Sequence, residues 1–113
     1  MARVRLDGVL LGAGETTVHT VNTNVQATGI ELWVLNQDSV ARGLTLWFVP
    51  QGQSTADAYK VLELQEANYL RPGEARSYWF PMPFLDAGDF LVAQPSSASV
   101  ISICGGVLEE ATS

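Results

Sequence analysis

Charge is scarce in this chain. Only 16% of its 113 residues are Asp, Glu, Lys or Arg, against roughly 25% in ordinary soluble domains. Six are basic and twelve acidic, for a net charge of −6. So few cations exclude a surface that displaces counterions from nucleic acid, and also one drawn to anionic membranes. No run approaches the ~20 apolar residues of a membrane span. The chain has a single cysteine, Cys104, and a single histidine, His19. That rules out an internal disulfide, a zinc site of several thiolates and a metal centre of several imidazoles. The first residues, Met1-Ala2-Arg3-Val4-Arg5, lack the apolar core and cleavage site of a signal peptide, so synthesis in a cytoplasm is expected.

What remains is apolar: 47% of the residues are hydrophobic. With so little charge to cover it, part of the surface is expected to face something other than water. The stretch Ile30–Pro50 concentrates this character. Two β-branched and aromatic runs, 30–36 and 44–50, flank the polar loop 37–43, and the pattern predicts two adjacent strands joined as a hairpin. Ile30, Leu32, Val34, Leu44, Leu46 and Phe48 make one apolar face and supply a core. Glu31, Trp33, Leu35, Thr45, Trp47 and Val49 make the other.

Elsewhere, short strands alternate with turn signals. Val4–Leu11 is a weak strand with a turn or bulge at Asp7-Gly8. Glu15–Asn22 alternates, with Thr16, Val18 and Thr20 on one side and Thr17, His19 and Val21 on the other. A single helical turn is expected near Thr55–Tyr59, followed by extended chain. Arg71-Pro72-Gly73-Glu74 has the form of a type II turn. A strand over Ala75–Phe80 should stop before Pro81-Met82-Pro83, which cannot sit centrally in a sheet. Phe90–Gln94 and Ser99–Leu108 complete the set, with a bulge at Gly105-Gly106 and a polar tail over residues 109–113. The expected fold is all-β: one antiparallel two-sheet sandwich of about eight strands over residues 1–113, jelly-roll or Ig-like.

Chemistry-bearing residues are few. His19 has only Thr and Val as sequence neighbours and is expected at a solvent-facing strand edge. Cys104, within Ile101-Ser102-Ile103-Cys104, is expected to be a buried, inert thiol. Leu85-Asp86-Ala87-Gly88-Asp89 lacks the ligand spacing of a calcium loop and is expected to be a turn. No catalytic residue, cofactor or metal site is predicted, and the chain is not expected to be an enzyme. The aromatic residues carry the most information. Trp33, Trp47, Leu35, Val49 and Trp79 are the expected interface residues, in preference to a core or a sugar-stacking role.

The order of these motifs resembles the small β-sandwich structural proteins of tailed bacteriophages. The elements are Ile30-Glu31-Leu32-Trp33-Val34-Leu35-Asn36, the run from Leu44 through Val49-Pro50 into Gly52-Gln53-Ser54, the Leu70-Arg71-Pro72-Gly73-Glu74 turn, and Leu85-Asp86-Ala87-Gly88-Asp89-Phe90-Leu91 leading to Ser96–Ile103. The aromatic run Trp79–Phe84 departs from that family. The resemblance implies a virion location and a capsid decoration protein, head spike or tail-neck subunit without catalytic residues. Its partners would be copies of itself, with a trimer favoured, and a shell protein such as a major capsid protein. No nucleic-acid or membrane partner is expected. The alternative is a tail, neck or spike subunit that binds host glycans.

Overall fold

In the computed structural model, residues 2–57, 59–97 and 100–111 are described. They form eight strands: β1 (Ala2–Leu10), β2 (Thr16–Thr20), β3 (Val25–Asn36), β4 (Leu44–Val49), β5 (Tyr59–Glu63), β6 (Ala75–Leu85), β7 (Phe90–Pro95) and β8 (Ile101–Ala111). The first sheet has the order β1-β8-β3-β6 and the second β2-β7-β4-β5. Every pairing is antiparallel. First strand pairs with last, second with seventh, third with sixth and fourth with fifth. This is a folded ribbon rolled into two sheets, the jelly-roll arrangement. An Ig-like sandwich would pair more strands that follow one another in the chain; here only β4 and β5 do so.

The hairpin expected at Ile30–Pro50 is not formed. β3 lies in the first sheet and β4 in the second, so loop 37–43 crosses the sandwich. The apolar faces of the two arms then bury each other across the roughly 10 Å between stacked sheets, rather than lying side by side in one sheet. Asn36 anchors the crossing. It is fully buried, and its amide nitrogen donates to the carbonyls of Val40 at 2.9 Å, Leu70 at 2.9 Å and Arg71 at 3.3 Å. Its amide oxygen accepts from Asp38 N–H at 2.9 Å. One side chain thus ties the crossing loop to the turn before β6.

The core is the one the pattern predicts. Ile30, Leu32, Val34, Leu44 and Leu46 are at most 2% exposed. They meet Ile101, Ile103, Val107, Leu91 and Ala93, with the half-buried Phe48 edge-on to Phe80 at 5.8 Å between centroids. A 3-10 turn at Thr55–Asp57 and an extended β5 agree with expectation. The 71–74 turn closes with Glu74 N–H donating to Arg71 C=O at 3.0 Å, and Gly73 takes φ +74°.

Three expectations are corrected. β6 runs on through Pro81 and Pro83 to Leu85. As an edge strand it has one side free of ladder bonds, so the prolines are tolerated. The polar tail expected from residue 109 is strand as far as Ala111, because β8 pairs with β3 up to Val25↔Ala111. No bulge forms at Gly105-Gly106; the irregularity is on β1, at Asp7-Gly8, where a turn or bulge was also expected. Asp7 and Gly8 together face Cys104 where the register shifts between Leu6↔Gly105 and Val9↔Ile103. Gly105 stays in register with Leu32, at φ +148° and with no room for a Cβ against the Glu31 carbonyl. Residues 112–113 of the expected tail, Ser99, and the side chains of Met82, Pro83, Phe84 and Leu85 lie outside the described residues.

Candidate interaction surface

One sheet face stands out. Along the first sheet, Arg5, Glu31, Trp33, Leu35, Cys104 and Trp79 alternate with buried core residues and so point away from the core. Strand register arranges them in rows. Arg5, Gly106, Glu31 and Trp79 form one row, with Gly106 opposite both Arg5 and Glu31 and with Trp79 opposite Glu31. Cys104, Trp33 and Ser77 form the next. Leu10, Ser102, Leu35 and Ala75 form the third.

Trp33, Trp79 and Leu10 are 49%, 51% and 51% exposed, an unusual load for side chains of this size on one sheet. Trp33 Nε1–H donates to Glu31 Oε1 at 3.4 Å, which orients the indole along its own strand. The Trp79 ring lies over Gly29, where a Cβ would collide with it. A shallow recess between β1 and β3 is lined by Arg5, Gly8, Glu31, Trp33, Cys104 and Gly105.

The structure brings Trp33, Leu35 and Trp79 together and separates them from the other two expected interface residues. Trp47 and Val49 are on β4, in the opposite sheet. Val49 is fully buried, and Trp47 is half-buried beside its cross-strand partners Val92 and Lys60. Val49 and Val92 are buried yet stand outside the main core cluster. Both lie on the same side of the second sheet as Trp47, and the 3-10 turn at Thr55–Asp57 lies close to β4. Placing Trp33 and Trp47 side by side required the hairpin, and it failed with it.

Glu31 stands on the same face as Trp33 and Leu35, as expected; Arg5, Leu10 and Cys104 were not expected there. Cys104 was expected to be buried and is exposed. Strict alternation from the buried Ile101 and Ile103 already turns it outward. His19 is also corrected, in the opposite sense. A register shift between Thr17 and His19 carries His19 opposite Leu91, on the inner side. There its Nε2 lies 3.0 Å from Glu109 Oε1, with exposures of 11% and 4%. The pair joins the two sheets and is spent on structure. The 86–89 segment is a turn, as expected, with Gly88 at φ +90° and Asp89 N–H donating to Asp86 C=O at 3.0 Å.

Fold and face together define a jelly-roll β-sandwich with one apolar outer sheet surface. No family model matches the chain, and no curated protein matches it by sequence. Among solved structures, it is similar to a chain in the structure of infectious bursal disease virus, Gx strain, with a TM-score of 0.50 and 13% sequence identity. The match covers 96% of this chain and 31% of the viral one, so this chain spans about a third of that protein's length. At this identity the likeness is one of fold. No helix among the described residues is long and apolar enough to cross a membrane.

Proposed function

We propose that the chain is a non-enzymatic structural protein of a virus particle, which self-associates and binds a viral shell through the outer face of the first sheet. The observation that carries this reading is the Trp33–Trp79 face on a jelly roll, the architecture of many capsid domains. The fold likeness to a chain of a virus structure supports it, although that chain is much longer. The finer role is capsid decoration of a tailed bacteriophage. Small domains of this kind add avidity to weak single contacts by repeating on a lattice.

The test is whether the chain co-purifies with gradient-banded particles in a fixed ratio to the shell protein. The ratio should fall in a Trp33→Ala, Trp79→Ala double variant that folds normally. A chain absent from particles contradicts the reading.

Glycan binding by a spike or tail-neck subunit is the second reading. The recess that holds Trp33, Glu31 and Arg5 favours it, because it offers a stacking ring beside charged hydrogen-bonding groups. Glycan-array binding lost in Trp33→Ala, without loss of particle binding, would select it.

A further inference from the structure

We infer that the outer face of the first sheet is the contact between two copies of this chain, related by a two-fold axis that runs along β8. The inference deepens the proposed self-association at the same face. It replaces the trimer that the family resemblance implies with a two-fold dimer.

The face is self-complementary. β8 lies between β1 and β3, and its outward residues Ser102, Cys104 and Gly106 are small. An axis laid along this trough exchanges the β1 side of one copy with the β3 side of the other. In one row, Arg5 and Glu31 stand on either side of Gly106. The exchange sets Arg5 of each copy over Glu31 of the other, so two opposite-charge contacts form. In another row, Leu10 and Leu35 stand on either side of Ser102, and the exchange sets leucine on leucine. In the row between, the exchange carries Trp33 to the recess beside Gly8, where a methyl group on the glycine would meet nothing within 4 Å. Charged, apolar and shape features all match under the same operation, as an isologous interface requires.

The exchange overlays β1, β8 and β3 of the two copies and leaves β6 beyond the partner's edge strand. The three strands hold 9, 11 and 12 residues. At ~3.4 Å per residue and ~4.8 Å between strands they present roughly 500 Å² per copy, about 1,000 Å² for the pair. That is the low end for a specific contact and fits a dimer that forms reversibly with concentration.

The axis passes over Cys104, which faces its own counterpart, and this supplies a reporter. The experiment is sedimentation velocity on the whole chain, on Arg5→Glu, on Glu31→Arg and on an equimolar mixture of the two variants. It is paired with cross-linking by a short bis-maleimide. Wild type is expected to be a dimer that cross-links through Cys104, with no cross-link in Cys104→Ser. Each charge variant alone should self-associate roughly a hundred-fold more weakly, since both of its contacts become like-charged. The mixture should restore the dimer, because each altered residue then meets its opposite in the partner. Rescue by mixing cannot come from repaired folding, since each chain keeps its own substitution. A trimer, a dimer unaffected by Arg5→Glu, or a mixture that stays monomeric overturns the inference. A monomeric wild type that still binds particles also overturns it, and leaves the proposed structural role standing.

Discussion

His19 and Glu109 are 90 residues apart in sequence and 3.0 Å apart in space, where they link β2 of one sheet to β8 of the other. With the carboxylate ionised, His19 Nε2–H is the donor. Glu109 is 4% exposed, so removing the imidazole strands a carboxylate in the sandwich. His19→Ala is expected to lower unfolding stability by about 2–4 kcal/mol. Glu109→Gln keeps an acceptor opposite the ring and should cost less than about 1.5 kcal/mol. Urea denaturation of both variants checks the order. Equal, negligible losses would show that the pair does not hold the sheets.

Asn36 should be more sensitive than its position at a strand end implies. Three carbonyls depend on its amide nitrogen. Asn36→Ala leaves them without that donor, at an expected cost of about 2–4 kcal/mol. Asn36→Asp is expected to be at least as damaging, because a carboxylate would face those carbonyls and has no proton to donate. Thermal melts of the two variants beside wild type read the effect directly.

The surface carboxylates set the acid limit. The Arg42 guanidinium, which donates from Nε to Asp38 Oδ2 at 2.6 Å, holds the Asp38 carboxyl below its ordinary range, with help from Ser39 N–H. Arg71 N–H does the same for Glu74, seconded by Arg76. Lys60 lowers Glu63. A carboxyl whose folded value is depressed contributes its full stability above its unfolded value, and loses it as pH falls through the folded one. The melting temperature should therefore hold steady from neutral pH to about 5 and decline below about 4. Added salt should flatten the decline, because these groups are exposed and screened.

Trp33 is exposed on the first sheet and Trp47 is half-buried on the second. Trp33→Ala should change folding stability by less than about 1 kcal/mol and weaken self-association at micromolar concentrations. Trp47 is half-buried next to the buried Val92. Trp47→Ala should cost about 2 kcal/mol of folding stability and leave association of the folded fraction unchanged. Paired melts and sedimentation runs separate the two effects.

The contrast between Trp33 and Trp47 also shows how far the sequence could be read. Period-two patterning identified the strands and which residues of β3 and β4 enter the core, because burial on one face acts on each strand locally. It did not show which strands pair. Loop 37–43 is as compatible with a crossing as with a hairpin, and the choice rests on Asn36 reaching carbonyls more than thirty positions away. His19 and Cys104 failed for different reasons. His19 is turned inward by a one-residue register shift that leaves no mark in composition. Cys104 was judged by its apolar neighbours, although its place in the alternation with Ile101 and Ile103 already turned it outward. Trp33 and Leu35 were legible as facing away from the core because Ile30, Leu32 and Val34 already supply the inner face of β3.

Hydroxyl-radical footprinting of the dilute and the concentrated protein tests the central claim, that this protein meets its partners through the outer face of the first sheet. On concentration, oxidation of Trp33 and Cys104 should fall several-fold, while Tyr59 and Trp47 on the second sheet stay as reactive as before. Protection of Tyr59 and Trp47 with Trp33 and Cys104 unchanged would contradict the account and move the interface to the opposite sheet.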